Sequence, residues 1–205
     1  MNTDATIADS TIEQLRSELE SLKGLVQTQQ RESRYLRDRL AIQDCIHRHC
    51  RGVDRHDVEL MNSCYHEDGI ARYGPAVIRG PEYGDWSNGA HQGRFGLHLH
   101  SIGTQNCDIQ GDVAYCESYV LGTFLAPDQK RASLVAGRYF DQLERRGGEW
   151  KIAVRRTVVD ICVEGDASFL GAFRGTQVNE DDFWSKRDMS YLRPLDVETP
   201  VPAWH

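Results

Sequence analysis

The sequence lacks most of the features by which a chain declares its chemistry. No apolar run approaches the roughly 20 residues needed to cross a bilayer. The N-terminal stretch is polar and acidic, not a basic segment followed by an apolar one. The expectation is a soluble, cytoplasmic protein with no membrane partner. Six cysteines, at 45, 50, 64, 107, 116 and 162, include no C-x-x-C pair. Most fall in predicted helices or strands where a small apolar side chain packs well, and they read as reduced core residues. A basic excess is absent: the net charge is -7 and the basic clusters are short and mixed with acids, which argues against nucleic acid as a partner. There is no Gly-rich phosphate loop, no serine nucleophile elbow, no metal-ligand cluster and no internal repeat, so neither cofactor nor metal is expected.

What the chain does have is enough apolar residue for one core and an appendage. It is 205 residues long, 40% hydrophobic and 27% charged, and one domain is the default at that size. Its most legible stretch is Leu134–Val163, where two β-rich runs flank Arg146-Gly147-Gly148-Glu149. The Gly-Gly pair supplies the positive φ angles of a tight hairpin turn. On the second arm Trp150, Ile152 and Val154 alternate with Lys151, Ala153 and Arg155. Arg155 therefore belongs either to a solvated sheet face or to a concave surface where it must meet an anion or an acceptor.

Before the hairpin, Ile12, Leu15, Leu19, Leu22 and Val26 repeat at alternating spacings of three and four, and Leu36 and Leu40 resume that phase. This is a heptad seam on a long helix. Gly24 and polar seam positions imply a bend there, an oligomerising arm, or a helix packed on its own domain. Helical pattern continues to Gly52, which reads as the stop, with Asp54 just beyond it. A second helix is expected over Val58–Tyr65, a turn at Glu67-Asp68-Gly69 and a strand over Ile70–Tyr73. Pro81 suits the first turn of a helix carrying Tyr83 and Trp86. Strands follow over Leu97–Cys107 and Val113–Leu125, the latter with Glu117, Tyr119, Leu121 and Thr123 on one face. After Val163 come an apolar patch, Phe169–Phe173, and a polar, proline-bearing tail.

The motifs Ile42–Asp57, His66-Glu67-Asp68-Gly69, Tyr73-Gly74-Pro75, Arg79-Gly80, His100 with Ile102-Gly103, Gly111-Asp112-Val113-Ala114, Gly137-Arg138-Tyr139 and Trp150-Lys151-Ile152-Ala153 with Arg155 occur in an order that carries a resemblance. They resemble the SnoaL-like branch of the nuclear transport factor 2-like superfamily, which includes scytalone dehydratase, a hexachlorocyclohexane dehydrochlorinase, bile acid dehydratase and ketosteroid isomerase. The resemblance covers roughly Leu40–Val163. It implies an α+β fold, a cone-shaped curved antiparallel sheet wrapped by helices around an apolar cavity. The domain plan is then an N-terminal helical arm over residues 1–39, a cone domain over 40–165, and a tail over 166–205 that packs on the domain or on a neighbouring subunit.

In the family's dehydratases the aspartate matching Asp54 sits beside the histidine matching His100. The resemblance thus implies that His100 is the general acid or base and that Asp54 orients it. Tyr73 matches a phenol that polarises a substrate oxygen, and Arg155 a cation that could hold a leaving oxygen, a phenolate or a carboxylate. His98 falls on the same strand face as His100 and is expected to contact substrate; the rival reading, a His-x-His metal pair, needs an acidic ligand and a further histidine downstream, where the sequence offers only His205. Tyr119 and Thr123 are expected to face the cavity, and Arg79 and Trp86 to shape its mouth. The remaining histidines considered, His47, His49, His56 and His66, read as surface or boundary residues.

The function implied is a cofactor-independent lyase for a small hydrophobic aromatic or polycyclic molecule, acting by dehydration or by retro-aldol loss of formaldehyde from a diaryl hydroxymethyl compound. Alternatives are a steroid- or polyketide-type isomerase or cyclase, and a non-catalytic binding or assembly module. Assembly into a homo-oligomer, a trimer more than a dimer, is implied as well.

Overall fold

The computed structural model describes residues 3–167 together with 186, 188–191, 193 and 194, and side chains from Ile12 onward. The chain splits between Leu40 and Ala41 into two compact units.

The first unit is the N-terminal part of a single α-helix, α1 (Thr3–Asp54). Gly24 does not break it. In the second unit the same helix changes character. Ile42, Cys45, Ile46, His49, Cys50, Val53 and Asp54 are buried, a stripe at spacings of three and four that marks one helix face turned to a core. Gly52 is not the stop. It lies mid-turn, where a Cβ would come within 2.7 Å of Met61 Cγ, so it is needed for the approach of α2 (Val58–Ser63). That helix is shorter than the sequence implied. Asp57 caps it by accepting from the Leu60 amide at 3.0 Å.

Six strands follow in one curved, unclosed sheet: β1 (Tyr65–Tyr73), β2 (Ala76–Arg79), β3 (Leu97–Gln110), β4 (Val113–Leu125), β5 (Arg131–Arg146) and β6 (Glu149–Asp166). Their order is β2-β1-β6-β5-β4-β3. All neighbours are antiparallel except β1 and β6, which run parallel. A 3-10 turn (Gly80–Glu82) leads into α3 (Tyr83–His91). Gly84 lets that helix close on α2, since a Cβ there would stand 2.8 Å from Val58 Cα. The β5–β6 turn is formed as its sequence requires, with Arg146 opposite Glu149 and positive φ at Gly147 and Gly148.

The core joins the inner stripe of α1 to Met61, Cys64, Tyr65, Leu143, Trp150 and Ile152. Two of the six cysteines depart from the reduced reading: Cys107 and Cys116, partners across β3 and β4, are bonded to each other as a disulfide. The described tail residues lie along α1 and α2. Tyr191 Oη donates to Asp57 Oδ2 at 2.8 Å, the Arg51 guanidinium sits 4.4 Å from the centre of the Tyr191 ring, and Lys186 pairs with Glu59 at 2.7 Å. The patch Phe169–Phe173 lies outside the described residues.

Candidate active site

Asp54 is the last residue of α1 and continues its buried stripe, so helix phase alone carries the carboxylate inward. There it meets the start of β3. Asp54 Oδ2 accepts from the His100 backbone N–H at 2.9 Å, and Asp54 Oδ1 accepts from His100 Nδ1 at 2.7 Å. A carboxylate oxygen only accepts, so the neutral His100 ring carries its proton on Nδ1 and keeps a lone pair on Nε2. One residue earlier on α1, the Val53 carbonyl accepts from His98 Nε2 at 3.1 Å. Three hydrogen bonds thus pin the helix end to the strand and fix both imidazoles.

His100 forms part of the wall of a cavity of ≈ 730 Å³ whose other walls come from α1, α3 and all four long strands plus β1. Val53, Trp86, Phe95, Val120, Phe124, Val135, Val158 and Val159 supply most of its apolar lining. Gly122 makes room in it: a Cβ there would fall 2.6 Å from Phe124 Cε2, so the glycine lets Phe124 fold back beside His100, with ring centres 5.5 Å apart. Polar groups reach the cavity from Tyr73, Tyr83, His91, Arg94 and Tyr139. Burial raises the pKa of the Tyr73 phenol, which therefore stays protonated and able to donate.

The structure brings Asp54, His100, Tyr73 and Trp86 together and separates them from the rest of the sequence-derived set. His98 is buried behind the wall, stacked 4.6 Å from His91. Arg79 is exposed and paired with Glu82 at 3.2 Å, away from the cavity. Tyr119 and Thr123 share a face, but it is the outer one: Tyr119 is 48% exposed, and the inner face of β4 is that of Val120, Gly122 and Phe124. Strand alternation fixes which residues go together, not which side is inside.

Arg155 is also corrected. At 1% exposure it is committed to Asp141 by two 2.7 Å bonds, and its Nη1 stands 2.8 Å from His49 Nδ1. It underlies the cavity without reaching it, with its guanidinium 4.3 Å from the centre of the Tyr139 ring. The cause is a bulge. Leu143 pairs with Ile152 but Gln142 with Val154, so Ala153 is an extra residue that reverses the side-chain phase and turns Arg155 inward while Val154 faces out.

Two of the histidines read as surface or boundary residues are interior. His49 is fully enclosed, and burial beside Arg155 holds its pKa well below the usual range. His66 is buried and donates through Nε2 to the Glu144 carbonyl at 2.9 Å. His91 was missed altogether. It shares a face of α3 with Tyr83, Trp86 and Ala90, and that spacing was the available signal. Burial lowers its pKa to about 3, and that of His56, also near His98, to about 4. Both are neutral imidazoles at pH 7. Among the described residues no three His, Cys, Asp or Glu side chains converge to hold a metal ion.

A curved open sheet over a helix stripe, with a carboxylate-backed imidazole at the wall of the cavity between them, is the architecture of the nuclear transport factor 2-like cone fold. A family model described as a SnoaL-like domain matches residues 34–156. The chain belongs to the SnoaL-like family, within the superfamily to which its motifs pointed. Solved structures agree. A type 2 hexachlorocyclohexane dehydrochlorinase superposes with a TM-score of 0.60 at 22% identity, covering 64% of this chain and 90% of that one. A type 3 dehydrochlorinase from Novosphingobium barchaimii LL02 gives 0.60 at 23% identity, covering 64% and 92%. A protein from Novosphingobium aromaticivorans DSM 12444, provisionally named a scytalone dehydratase, gives 0.57 at 20%, covering 63% and 88%. At these identities the likeness is one of fold. No curated protein matches the chain. Among the described residues no helix is long and apolar enough to cross a membrane.

Proposed function

We propose that the chain is a cofactor-independent lyase that accepts a small aromatic or polycyclic molecule in the cone and uses His100 to move a proton during elimination. The observation that carries this is the 2.7 Å bond from His100 Nδ1 to Asp54 Oδ1 at the wall of the cavity. Asp54 holds the tautomer that leaves the lone pair on Nε2, and Val53, Val120 and Phe124 give the cavity that His100 lines an apolar wall.

For dehydration, Nε2 takes a proton from the carbon next to the leaving hydroxyl. The C–O bond then breaks, and the departing oxygen takes that proton from His100 Nε2 and leaves as water. For retro-aldol cleavage, Nε2 takes the hydroxymethyl proton, the C–C bond breaks to release formaldehyde, and the proton returns to the carbanion. In either case Tyr73 is the donor placed to polarise a substrate oxygen. The buried Arg155 pairing supports a scaffold role for that residue, not contact with a leaving group. Association into a homo-oligomer, a trimer in preference to a dimer, belongs to the same reading. Association itself, as distinct from subunit number, is supported by the exposed apolar outer face of the sheet, which includes Leu121, Leu134, Ile161 and Val163.

The test is to incubate aromatic alcohols and diaryl hydroxymethyl compounds with wild type and with His100→Ala, recording product mass and bound ligand. Wild type should release water or formaldehyde. His100→Ala should lose ~10²- to 10⁴-fold in kcat with ligand affinity largely kept. A product of unchanged mass would replace the lyase with an isomerase, and unchanged turnover in His100→Ala would end the mechanism.

A further inference from the structure

In the first unit of the chain, α1 presents a row of aliphatic side chains to solvent. With Ile12 as position a, the seam holds Ile12, Leu19, Val26 and Leu40 at a, and Leu15, Leu22 and Leu36 at d. These seven side chains are 48–65% exposed. Gln29 at d and Ser33 at a are the polar exceptions, of the kind that set register at a cost in stability. Gly24 falls at f, opposite the seam, where it weakens the helix without touching the stripe. A row of this length exposed on one helix calls for a partner, and the charges flanking it say which.

The g positions include Glu18 and Glu32, and the e positions five residues on are Lys23 and Arg37. In a parallel pair of identical helices each g residue faces the e residue of the next heptad on the other chain. Glu18 then meets Lys23 and Glu32 meets Arg37, opposite charges both times, with Leu25 and Gln30 as the neutral pair between them. In an antiparallel pair e faces e, and the e positions are Arg16, Lys23, Gln30 and Arg37, three of them cationic. The pattern favours one direction and penalises the other. Within the single helix Lys23 pairs with Glu20 at 2.7 Å and Gln14 donates to Glu18 at 3.1 Å. Both are exposed i,i+3 or i,i+4 contacts of little energy that yield to an interhelical partner.

We propose that residues 12–40 form a parallel, in-register coiled coil with the same segment of another copy of this chain. The occupant of the seam is the chain itself, because the charge pattern complements its own copy.

Cross-linking in the full-length protein tests the direction. Cys162 is the exposed free thiol, and Cys45, Cys50 and Cys64 are buried, so Cys162→Ser supplies a quiet background. Leu15→Cys and Leu36→Cys, made separately in it, should each give covalently linked chains on mild oxidation, because equivalent d positions meet across a parallel seam. Linkage only when Leu15→Cys is mixed with Leu40→Cys, the a position that Leu15 meets in an antiparallel pair, would mean that direction, and no linkage in any of them would remove the coil; both outcomes overturn the proposal. Charge swaps guard against a packing artefact. Lys23→Glu should raise the self-dissociation constant several-fold by sedimentation, and Glu18→Lys combined with Lys23→Glu should restore it. A double variant no better than the single one also counts against the assignment.

Discussion

Asp54 holds two functions on one side chain, since one oxygen anchors the β3 backbone and the other the His100 ring. Asp54→Asn keeps the shape but replaces one acceptor with a donor, so the fixed tautomer is lost. The expected result is a fall of ~10²-fold or more in kcat with a near-native circular dichroism spectrum. Asp54 and His100 were legible because their spacing from recognisable neighbours matches the family. Phe124 was not, and His91 carried only the spacing of its helix face, since the closing of α3 over β4 is what brings the two to the same cavity. Tyr73→Phe should cost roughly 10²-fold in kcat with KM little changed if its phenol polarises the substrate oxygen; an unchanged kcat would make Tyr73 a wall residue.

At the scale of elements, glycines and bulges decide what alternation alone leaves open. Gly137 lies where β5 and β6 slip register, and a Cβ there would stand 2.2 Å from the Val158 carbonyl oxygen. Gly137→Ala forces the backbone apart and should lower stability by about 1–3 kcal/mol in urea unfolding. Gly24 is the opposite case, with helical backbone on both sides and nothing within 4 Å of where a Cβ would stand. Gly24→Ala should increase helix stability by about 1 kcal/mol, read as a higher midpoint for loss of the far-ultraviolet helix signal. The β5–β6 hairpin was readable because its turn is set by local φ angles. The inward turn of Arg155 was not, because the extra residue at Ala153 is defined by how β6 pairs with β5 and not by the spacing within β6.

The whole molecule keeps several imidazoles neutral in its interior, and this links its stability to pH. His91 and His56 have folded-state pKa values of about 3 and about 4 because burial disfavours their charged forms. Unfolded, each would titrate near its ordinary value of 6.5. Below that pH the unfolded chain binds protons that the folded chain refuses, so the stability these two groups contribute is full above about pH 6.5 and falls on acidification toward about 4 for His56 and about 3 for His91. Thermal unfolding at pH 7 and pH 5 should show the loss, and His91→Gln should make the difference smaller, by on the order of 1 kcal/mol. The Arg155–Asp141 pair beneath the cavity acts at the same scale. Asp141→Asn leaves a buried guanidinium without its countercharge, and a destabilisation of about 3–5 kcal/mol is expected in denaturant, exceeding any exposed pair in the molecule.

The sequence by itself determined what depends on neighbours along the chain. The heptad stripe, the continuation of α1 past Leu40, the glycine turn at 147–148 and the family motifs are all local patterns of period and spacing. The tertiary structure alone decided which side of each strand is inside, that Arg155 belongs to Asp141, and that an imidazole from α3 joins the cavity wall. Side-chain phase in a sheet reverses with a single inserted residue, and whether a residue is inserted depends on the pairing with the partner strand, which the spacing along one strand does not carry.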